Sequence, residues 1–200
     1  ASSEYYDVLI TTEKSNADVL LEKYNQLKTS LQEALDNGSV TEFDDNWASM
    51  VSDIQDTEDA LLKSKEAIIQ YQNAQRQIQW DLFDRMQASF ANLADESDFL
   101  IELMGKNSKL YDDNGQMNSN GLSVQGLHAL NYDNYINQVK EYKNELAEIQ
   151  GQLAADPKNT TLIDRYAELL KAQHSAILNA EDEKSAIIDL ISDGYDKLLD

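Results

Sequence analysis

The stretch from residue 39 to residue 104 contains neither glycine nor proline, the two residues that most often interrupt a helix. Apolar side chains recur through it at steps of three and four, which is typical of a helix that packs along one side. The pattern predicts a single helix over 39–104, about 100 Å long at 1.5 Å per residue. A compact domain of this size is much narrower. We therefore expect an elongated chain whose work is to space, scaffold or join rather than to catalyse.

A heptad seam is predicted along this long helix, because its apolar and small residues alternate three and four positions apart. The seam comprises Trp47, Met50, Ile54, Thr57, Leu61, Ser64, Ile68, Tyr71, Gln75, Ile78 and Leu82. Beyond residue 78 the apolar face widens, which favours two neighbouring helices instead of one. The steps from 82 to 86 to 90 are both four, and such a phase slip locally unwinds a supercoil. Ser39 and Glu42 fit a capping box at the start of this helix.

Three shorter helices are predicted at about 3–36, 123–154 and 161–200. Asn37 and Gly38 end the first, since both tolerate left-handed geometry. Pro157 forces the turn between the last two, and Thr161 with Asp164 can cap the fourth. The third helix presents Tyr135, Val139, Tyr142, Leu146, Ile149 and Leu153. The fourth presents Ile163, Tyr166, Leu170, Gln173, Ile177, Ala180, Lys184, Ile187, Ile191 and Leu198.

The predicted fold class is all-α: an elongated antiparallel helical bundle or coiled coil with one very long helix and three shorter ones. Residues 1–104 form a helical hairpin, and residues 105–122 form a loop or small hairpin around Asn114-Gly115. Residues 123–200 form a second antiparallel hairpin that packs on the second half of the long helix, since short turns join antiparallel neighbours. The helix lengths predict that the first and third helices lie end to end along the second.

The charge of the chain restricts its partners. It carries 37 acidic and 16 basic residues, for a net charge of −21, and no cysteine. A nucleic-acid partner or an anionic membrane needs a basic surface, so we expect neither. The absence of cysteine excludes disulfides and thiolate metal sites. The chain begins with Ala1 and its last predicted helix reaches Asp200, so we expect it to be part of a longer protein.

No catalytic, cofactor-binding or metal-binding residue is predicted, and no small-molecule ligand is expected. The loop Asp112-Asp113-Asn114-Gly115 suggests calcium, but placing Gly115 at position 6 of an EF-hand puts Leu110 at position 1. His128 and His174 lack a helical partner at metal-ligand spacing, so a surface or half-buried role is expected for each.

Four further residues of the predicted helices invite an interpretation. Trp47 and Trp80 lie on or beside the seam, and we expect them to pack in the core. Lys184 on the fourth helix either restricts register or extends past the seam into solvent. Gly194 marks a bend, a close crossing or an exposed position.

Two segments resemble a known family. One is Tyr111-Asp112-Asp113-Asn114-Gly115 followed by Gly126-Leu127-His128-Ala129-Leu130-Asn131-Tyr132-Asp133-Asn134-Tyr135; the other is Ile191-Ser192-Asp193-Gly194-Tyr195-Asp196-Lys197-Leu198-Leu199-Asp200. Together they resemble internal coiled-coil regions of tail tape measure (minor tail) proteins of long-tailed bacteriophages and prophages. The resemblance implies a spacer segment of a larger protein that associates with itself and with tail tube or tail assembly proteins. It also implies assembly in the bacterial cytoplasm and a place in the virion tail.

Two other classes of function remain open from the residues. One is a secreted or export-associated helical adaptor without catalysis, although such hairpins usually carry Trp-x-Gly at the turn and Asn37-Gly38-Ser39 lacks the tryptophan. The other is an enzyme, which a deep pocket with clustered carboxylates of raised pKa would indicate.

Overall fold

The chain is all-α, as the sequence predicts. A computed structural model describes the backbone of residues 2–199 and the side chains of residues 2–197. Within this range the helices are α1 (Ser3–Asp36), α2 (Asp45–Asn107), α3 (Ser119–Ala155) and α4 (Thr160–Leu199). The predicted helix end at Asp200 lies outside the described residues. The side chain of Leu198, a predicted seam position, also lies outside the described part.

The long helix is confirmed as one piece, with shifted ends. Helix α2 runs without interruption for 63 residues, over 45–107 instead of the predicted 39–104. The chain divides into two compact units, residues 1–84 and residues 85–200, and α2 contributes a segment to each. The first unit contains α1 and the second contains α3 and α4.

The predicted capping box of Ser39 and Glu42 at the start of α2 is wrong. Asp44 caps the helix: its Oδ1 accepts from the Trp47 amide at 2.7 Å, and its Oδ2 accepts from the Thr41 amide at 2.8 Å. Ser39 belongs instead to the end of α1, where its hydroxyl donates to the Ala34 carbonyl at 3.3 Å. The neighbouring Val40 amide donates to the same carbonyl at 3.2 Å. These bonds satisfy the last carbonyls of α1, so the chain turns away before α2 begins.

In the first unit α1 lies antiparallel to the first segment of α2. The Ser64 hydroxyl donates to Glu13 Oε1 at 2.7 Å, and the Gln75 amide donates to Asp7 Oδ1 at 2.6 Å. The seam predicted up to residue 78 is confirmed, since its members are buried or half-buried. Its fully buried members on α2 are Thr57, Leu61 and Ser64. Small and polar side chains at the seam allow the two backbones to approach closely.

Beyond residue 78 the predicted apolar face is confirmed in part: Trp80 and Phe83 are buried, and Phe90, Ile101 and Met104 are half-buried. Leu82 is 56 % exposed and Leu93 is 49 % exposed, so neither belongs to the core. The buried or half-buried positions are Phe83, Gln87, Phe90, Ala94, Ser97, Ile101 and Met104. These positions keep an unbroken three-four spacing, so the predicted phase slip between 82 and 90 does not occur. Leu82 and Leu93 each lie one residue before a buried position, Phe83 and Ala94, and so face away from the core.

In the second unit α3 and α4 lie antiparallel, as predicted. The Gln173 amide donates to the Val139 carbonyl at 3.4 Å, and His128 meets Glu183 further along the pair. The predicted stripe of α4 is confirmed in part, since Ala180 is buried and Tyr166, Leu170, Gln173 and Ile187 are half-buried. The buried positions are Leu162, Leu169, Ala176 and Ala180, whereas Ile163, Ile177 and Ile191 are more than 40 % exposed.

The ends of α3 and α4 also differ from the prediction. Asn159 caps α4, because its side-chain oxygen accepts from the Leu162 amide at 3.2 Å. The predicted cap of Thr161 with Asp164 is therefore wrong by two residues. Helix α3 continues through Gly151 to Ala155, and it starts at Ser119 where Asn118 accepts from two backbone amides.

Replacing Asp44 by Ala should destabilise the first unit by as much as the loss of an N-cap residue typically does. Hydrogen bonds from the backbone amides of Thr41 and Trp47 lower the pKa of Asp44 below its ordinary value of 3.8. The stability that Asp44 contributes is therefore present above pH 3.8 and is lost as the pH falls through the lowered pKa of the folded chain. Thermal unfolding of both proteins from pH 7 to pH 2.5 measures this, and we expect the difference in Tm to shrink in acid. Glu42→Ala is the control: an equal loss there would support the capping box instead.

Candidate functional site

The loop between α2 and α3 is a small hairpin, as the Asn-Gly pair predicts. Tyr111 and Met117 form an antiparallel bridge, and Gly115 has a positive φ of 78° that favours glycine. The Asp112 side chain accepts from the amides of Asn114 and Gln116, both at 2.9 Å. The Asp112 carboxylate therefore works as a turn-forming group.

Tyr111 attaches this hairpin to α4. Its hydroxyl donates to the Leu190 carbonyl at 2.5 Å, and the Lys197 ammonium lies 4.0 Å from the centre of its ring. A Cβ added to Gly194 would lie 3.2 Å from Cε1 of the ring. Gly194 is thus needed for a close approach, as one of the sequence interpretations proposed, but the partner is a tyrosine ring and not another helix. Burial and the charge of Asp193 raise the pKa of Tyr111.

A polar cluster joins all three helices of the second unit. Asn131 on α3 is fully buried, and its amide donates to Asp98 Oδ1 on α2 at 2.9 Å and to Glu183 Oε1 on α4 at 3.2 Å. The other oxygen of Glu183 lies 2.6 Å from Nδ1 of His128. The side chains of His128 and Glu183 are 16 % and 12 % exposed. One asparagine thus holds two carboxylates from different helices.

The two carboxylates give the cluster its electrostatics. Partial burial of its carboxyl group raises the pKa of Asp98, and the charge of Glu183 raises it further. The rest of the Asp98 residue is exposed. The neighbouring His128 and the hydrogen bond from Asn131 act in the opposite direction. Burial, followed by the charges of Asp98 and Glu183, also raises the pKa of Tyr135. Bringing two acidic groups together in a half-buried place is unfavourable, and Asn131 offsets part of that repulsion.

Further polar residues continue the cluster along α3. Asn131, Asn134 and Gln138 follow one another at steps of three and four, and all are buried. The Asn134 amide donates to the Phe90 carbonyl at 2.8 Å. Among the described residues, Asn131 Oδ1, Gln138 Nε2 and both amide atoms of Gln87 on α2 are buried without a hydrogen-bond partner. Buried polar groups without partners reduce stability.

The cluster is a hydrogen-bond network centred on the Asn131 amide. Its carboxylate oxygens are directed at Asn131 and at the ring of His128. In the part of the chain that the structure describes, no group of three or more His, Cys, Asp or Glu side chains has an arrangement that could hold a metal ion. Within the same range, none of the helices has the length and apolarity needed to cross a bilayer.

The other residues singled out by the sequence have plain structural positions. Trp80 is buried and Trp47 is half-buried beside Phe43, with ring centres 5.0 Å apart. His174 is exposed. Lys184 is exposed and pairs with Glu181 at 3.1 Å, so its predicted place on the seam is wrong. The neighbouring Glu183 takes the inward position instead, with its side chain 12 % exposed.

The sequence did not lead to a prediction of the polar cluster, because the buried side of α3 was assigned from its apolar residues alone. The predicted stripe of α3 began at Tyr135, one position beyond Asn134, and so omitted the buried asparagines. A signal was present: Asn131, Asn134 and Gln138 have heptad spacing and are continued by Leu146 and Ile149. Polar residues in a continuing apolar stripe indicate a polar layer in the core rather than the end of the seam.

Comparison with known proteins gives no relative. The chain matches no protein-family model, no curated protein and no solved structure.

Replacing Asp98 by Asn should make unfolding less dependent on pH. Because the pKa of Asp98 is raised in the folded chain, the unfolded chain ionises first as the pH rises above 3.8, and stability is lost up to the folded pKa. The substituted amide cannot ionise, and its oxygen can still accept from Asn131. We expect D98N to be more stable than the wild type at pH 7, by at most about 1 kcal/mol for a partly exposed charge, with no advantage at pH 3. Urea unfolding at both pH values measures this, with the exposed Asp133→Asn as control.

Glycine-to-alanine substitutions at two helical positions should differ. A Cβ at Gly126 on α3 would have nothing within 4 Å, so G126A should stabilise the protein by about 0.5–1 kcal/mol through helix propensity. The same change at Gly194 brings a methyl group against the Tyr111 ring. We therefore expect G194A to stabilise the protein less than G126A does, or to destabilise it. Urea unfolding of both variants measures the difference. Equal gains would contradict the close contact between Tyr111 and Gly194.

Proposed function

We propose that this chain is a structural coiled-coil segment of a phage tail tape measure protein, acting as a rigid spacer within the tail tube during assembly. The observation that carries the proposal is α2, a single uninterrupted helix of 63 residues. A continuous helix converts residue number into length at a fixed rise. A spacer needs that property more than it needs a pocket or a reactive group.

The pairing of α2 with α1 supports a spacer. A single helix in water bends and frays, and its stability comes mainly from packing along one side. In the first unit this packing is a narrow seam with small and polar members, including Thr57 and Ser64. A seam of that kind can be repeated or shortened by whole heptads without changing the pattern of contacts.

The two segments that resemble tape measure proteins also lie in contact. Tyr111 belongs to the first segment, and Gly194 and Lys197 belong to the second. The ring of Tyr111 packs against Gly194 and under the Lys197 ammonium. Three of the residues that carry the resemblance, one from the first segment and two from the second, therefore belong to one local structure in the second unit.

The proposal includes a setting and partners. As part of a tail, the segment would associate with itself and with tail tube or tail assembly proteins. It would be assembled in the bacterial cytoplasm and be retained in the virion. The net charge of −21 suits a segment that does not bind nucleic acid. The network of Asp98, Asn131, Glu183 and His128 then has a structural, non-catalytic role.

Deleting matched heptads in the parent phage tests the proposal. Residues 54–67 of α2 and residues 10–23 of α1 face each other in the antiparallel pair. Removing both sets deletes two heptads from each helix and keeps the seam in register. If the helix sets length, tails should become shorter by about 21 Å, since each residue of helix contributes 1.5 Å. Electron microscopy of many purified tails measures the mean length, and mass spectrometry of the same tails detects the protein.

The control keeps the length and changes only the surface. Glu58→Gln with Asp59→Asn alters two exposed residues inside the deleted segment, and these tails should keep the wild-type length. Tails of unchanged length after the deletion would contradict a spacer function. Absence of the protein from purified tails would contradict the tail setting altogether.

A further inference from the structure

The turn before α2 presents the most exposed large apolar side chain of the described residues. Phe43 is 82 % exposed, and its φ of 72° lies in the left-handed region that favours glycine. The Asp44 amide donates to the Thr41 carbonyl at 3.1 Å, so Phe43 is the third residue of a four-residue turn. A positive φ at that position is typical of a type II turn, where glycine or asparagine is usual. The chain thus holds a bulky ring in solvent where glycine would fit without strain.

Hydrogen bonds of Asp44 hold this strained turn in place. Its Oδ2 accepts from the amide and the hydroxyl of Thr41 at 2.8 and 3.1 Å, and its Oδ1 accepts from the Trp47 amide at 2.7 Å. The rings of Phe43 and Trp47 lie beside each other with an angle of 50° between their planes. We call these two residues the aromatic pair. The contact leaves most of Phe43 exposed, so packing inside the chain does not account for the ring at this position.

The end of the first unit that carries the aromatic pair is uniformly negative. No lysine, arginine or histidine occurs from residue 29 to residue 62. Glu42 and Asp45 lie within two residues of Phe43, and both are exposed. The same stretch contains nine acidic residues, of which all but Asp44 are exposed: Glu33, Asp36, Glu42, Asp44, Asp45, Asp53, Asp56, Glu58 and Asp59.

Exposed aromatic rings among carboxylates match the side chain of arginine. The face of an aromatic ring attracts a cation that lies within about 6 Å of its centre, and tryptophan does so most strongly. A guanidinium group also stacks on aromatic rings and can donate two parallel hydrogen bonds to one carboxylate. The carboxylates spread over this end of the unit are more than one small cation can pair with. The surface therefore fits a chain segment that carries several basic residues.

We propose that the turn at Phe43 is a docking site for a basic segment of another protein. An arginine of that segment stacks on the aromatic pair, and the carboxylates of Glu42 and Asp45 bind its guanidinium group. The strained turn fixes the Phe43 ring before the partner arrives, so little conformational freedom is lost on binding. This docking site does not depend on a tail setting, because it requires only a partner with basic residues.

Phe43→Gly separates docking from stability. Glycine adopts a φ of 72° without strain, so F43G should unfold at the same temperature as the wild type or at a higher one. Its affinity for the peptide acetyl-Gly-Arg-Gly-Arg-Gly-amide should fall by at least about threefold through the lost ring. Phe99→Ala removes a 63 % exposed phenylalanine from the second unit and should leave this affinity unchanged.

Nuclear magnetic resonance of the whole chain measures both binding and its location. The chain has two tryptophans, and the Trp47→Phe variant identifies the indole signal of Trp47. Titration with the peptide should shift that signal and leave the signal of the buried Trp80 in place. An unmoved Trp47 signal, or equal affinity of F43G and the wild type, would overturn the proposal.

Charge substitutions test whether the site is local. Glu42→Gln with Asp45→Asn should weaken peptide binding more than Glu58→Gln with Asp59→Asn, which removes the same charge further along α2. Binding should be weaker in about 0.5 M NaCl than in about 0.15 M NaCl, and a peptide with lysine in place of arginine should bind less tightly. Equal effects of the two double variants would show general attraction to an acidic surface and reject the site. A shift of Trp47 by spermine as large as that by the peptide would reject a protein segment as the occupant.

Discussion

The heptad spacing of small and polar side chains on α2 is the constraint on which both units depend. In the first unit it places Thr57 and Ser64 against α1, and in the second it places Ala94 and Ser97 toward the other helices. Small residues let helix axes approach, and larger residues on the flanks then cover the contact. Because no glycine or proline interrupts residues 45–104, the same helix can supply this surface to each unit.

The second unit also contains buried polar residues in its core. Asn131 bridges Asp98 and Glu183, so three helices share one buried amide. Removing Asn131 alone would leave two neighbouring carboxylates without their common donor, and such a loss costs more than the hydrogen bonds themselves contribute. Gln87 and Gln138 lie in the same core with unpaired amide atoms. Such unpaired buried groups lower stability.

The sequence predicted the helices and the hairpin more accurately than it predicted which side of each helix is buried. The absence of helix breakers gave the long α2, and Asn114-Gly115 gave the hairpin, because both are local properties of the backbone. On α4 and on the later part of α2 the predicted faces were right only in part: Ala180 and Phe83 are buried, whereas Ile177 and Leu82 are exposed. Ile163 and Ile177 form as good a stripe as Leu162, Leu169 and Ala176 when hydrophobicity alone is counted. Only the packed structure distinguishes the two sets, since the second is buried and the first is exposed.

Large apolar residues remain at the surface of α2 beside its buried positions. Leu93 and Leu100 are exposed, whereas the residues that follow them, Ala94 and Ile101, are buried and half-buried. Exposed apolar side chains beside a buried stripe are ordinary at protein surfaces, where apolar atoms make up more than half of the accessible area.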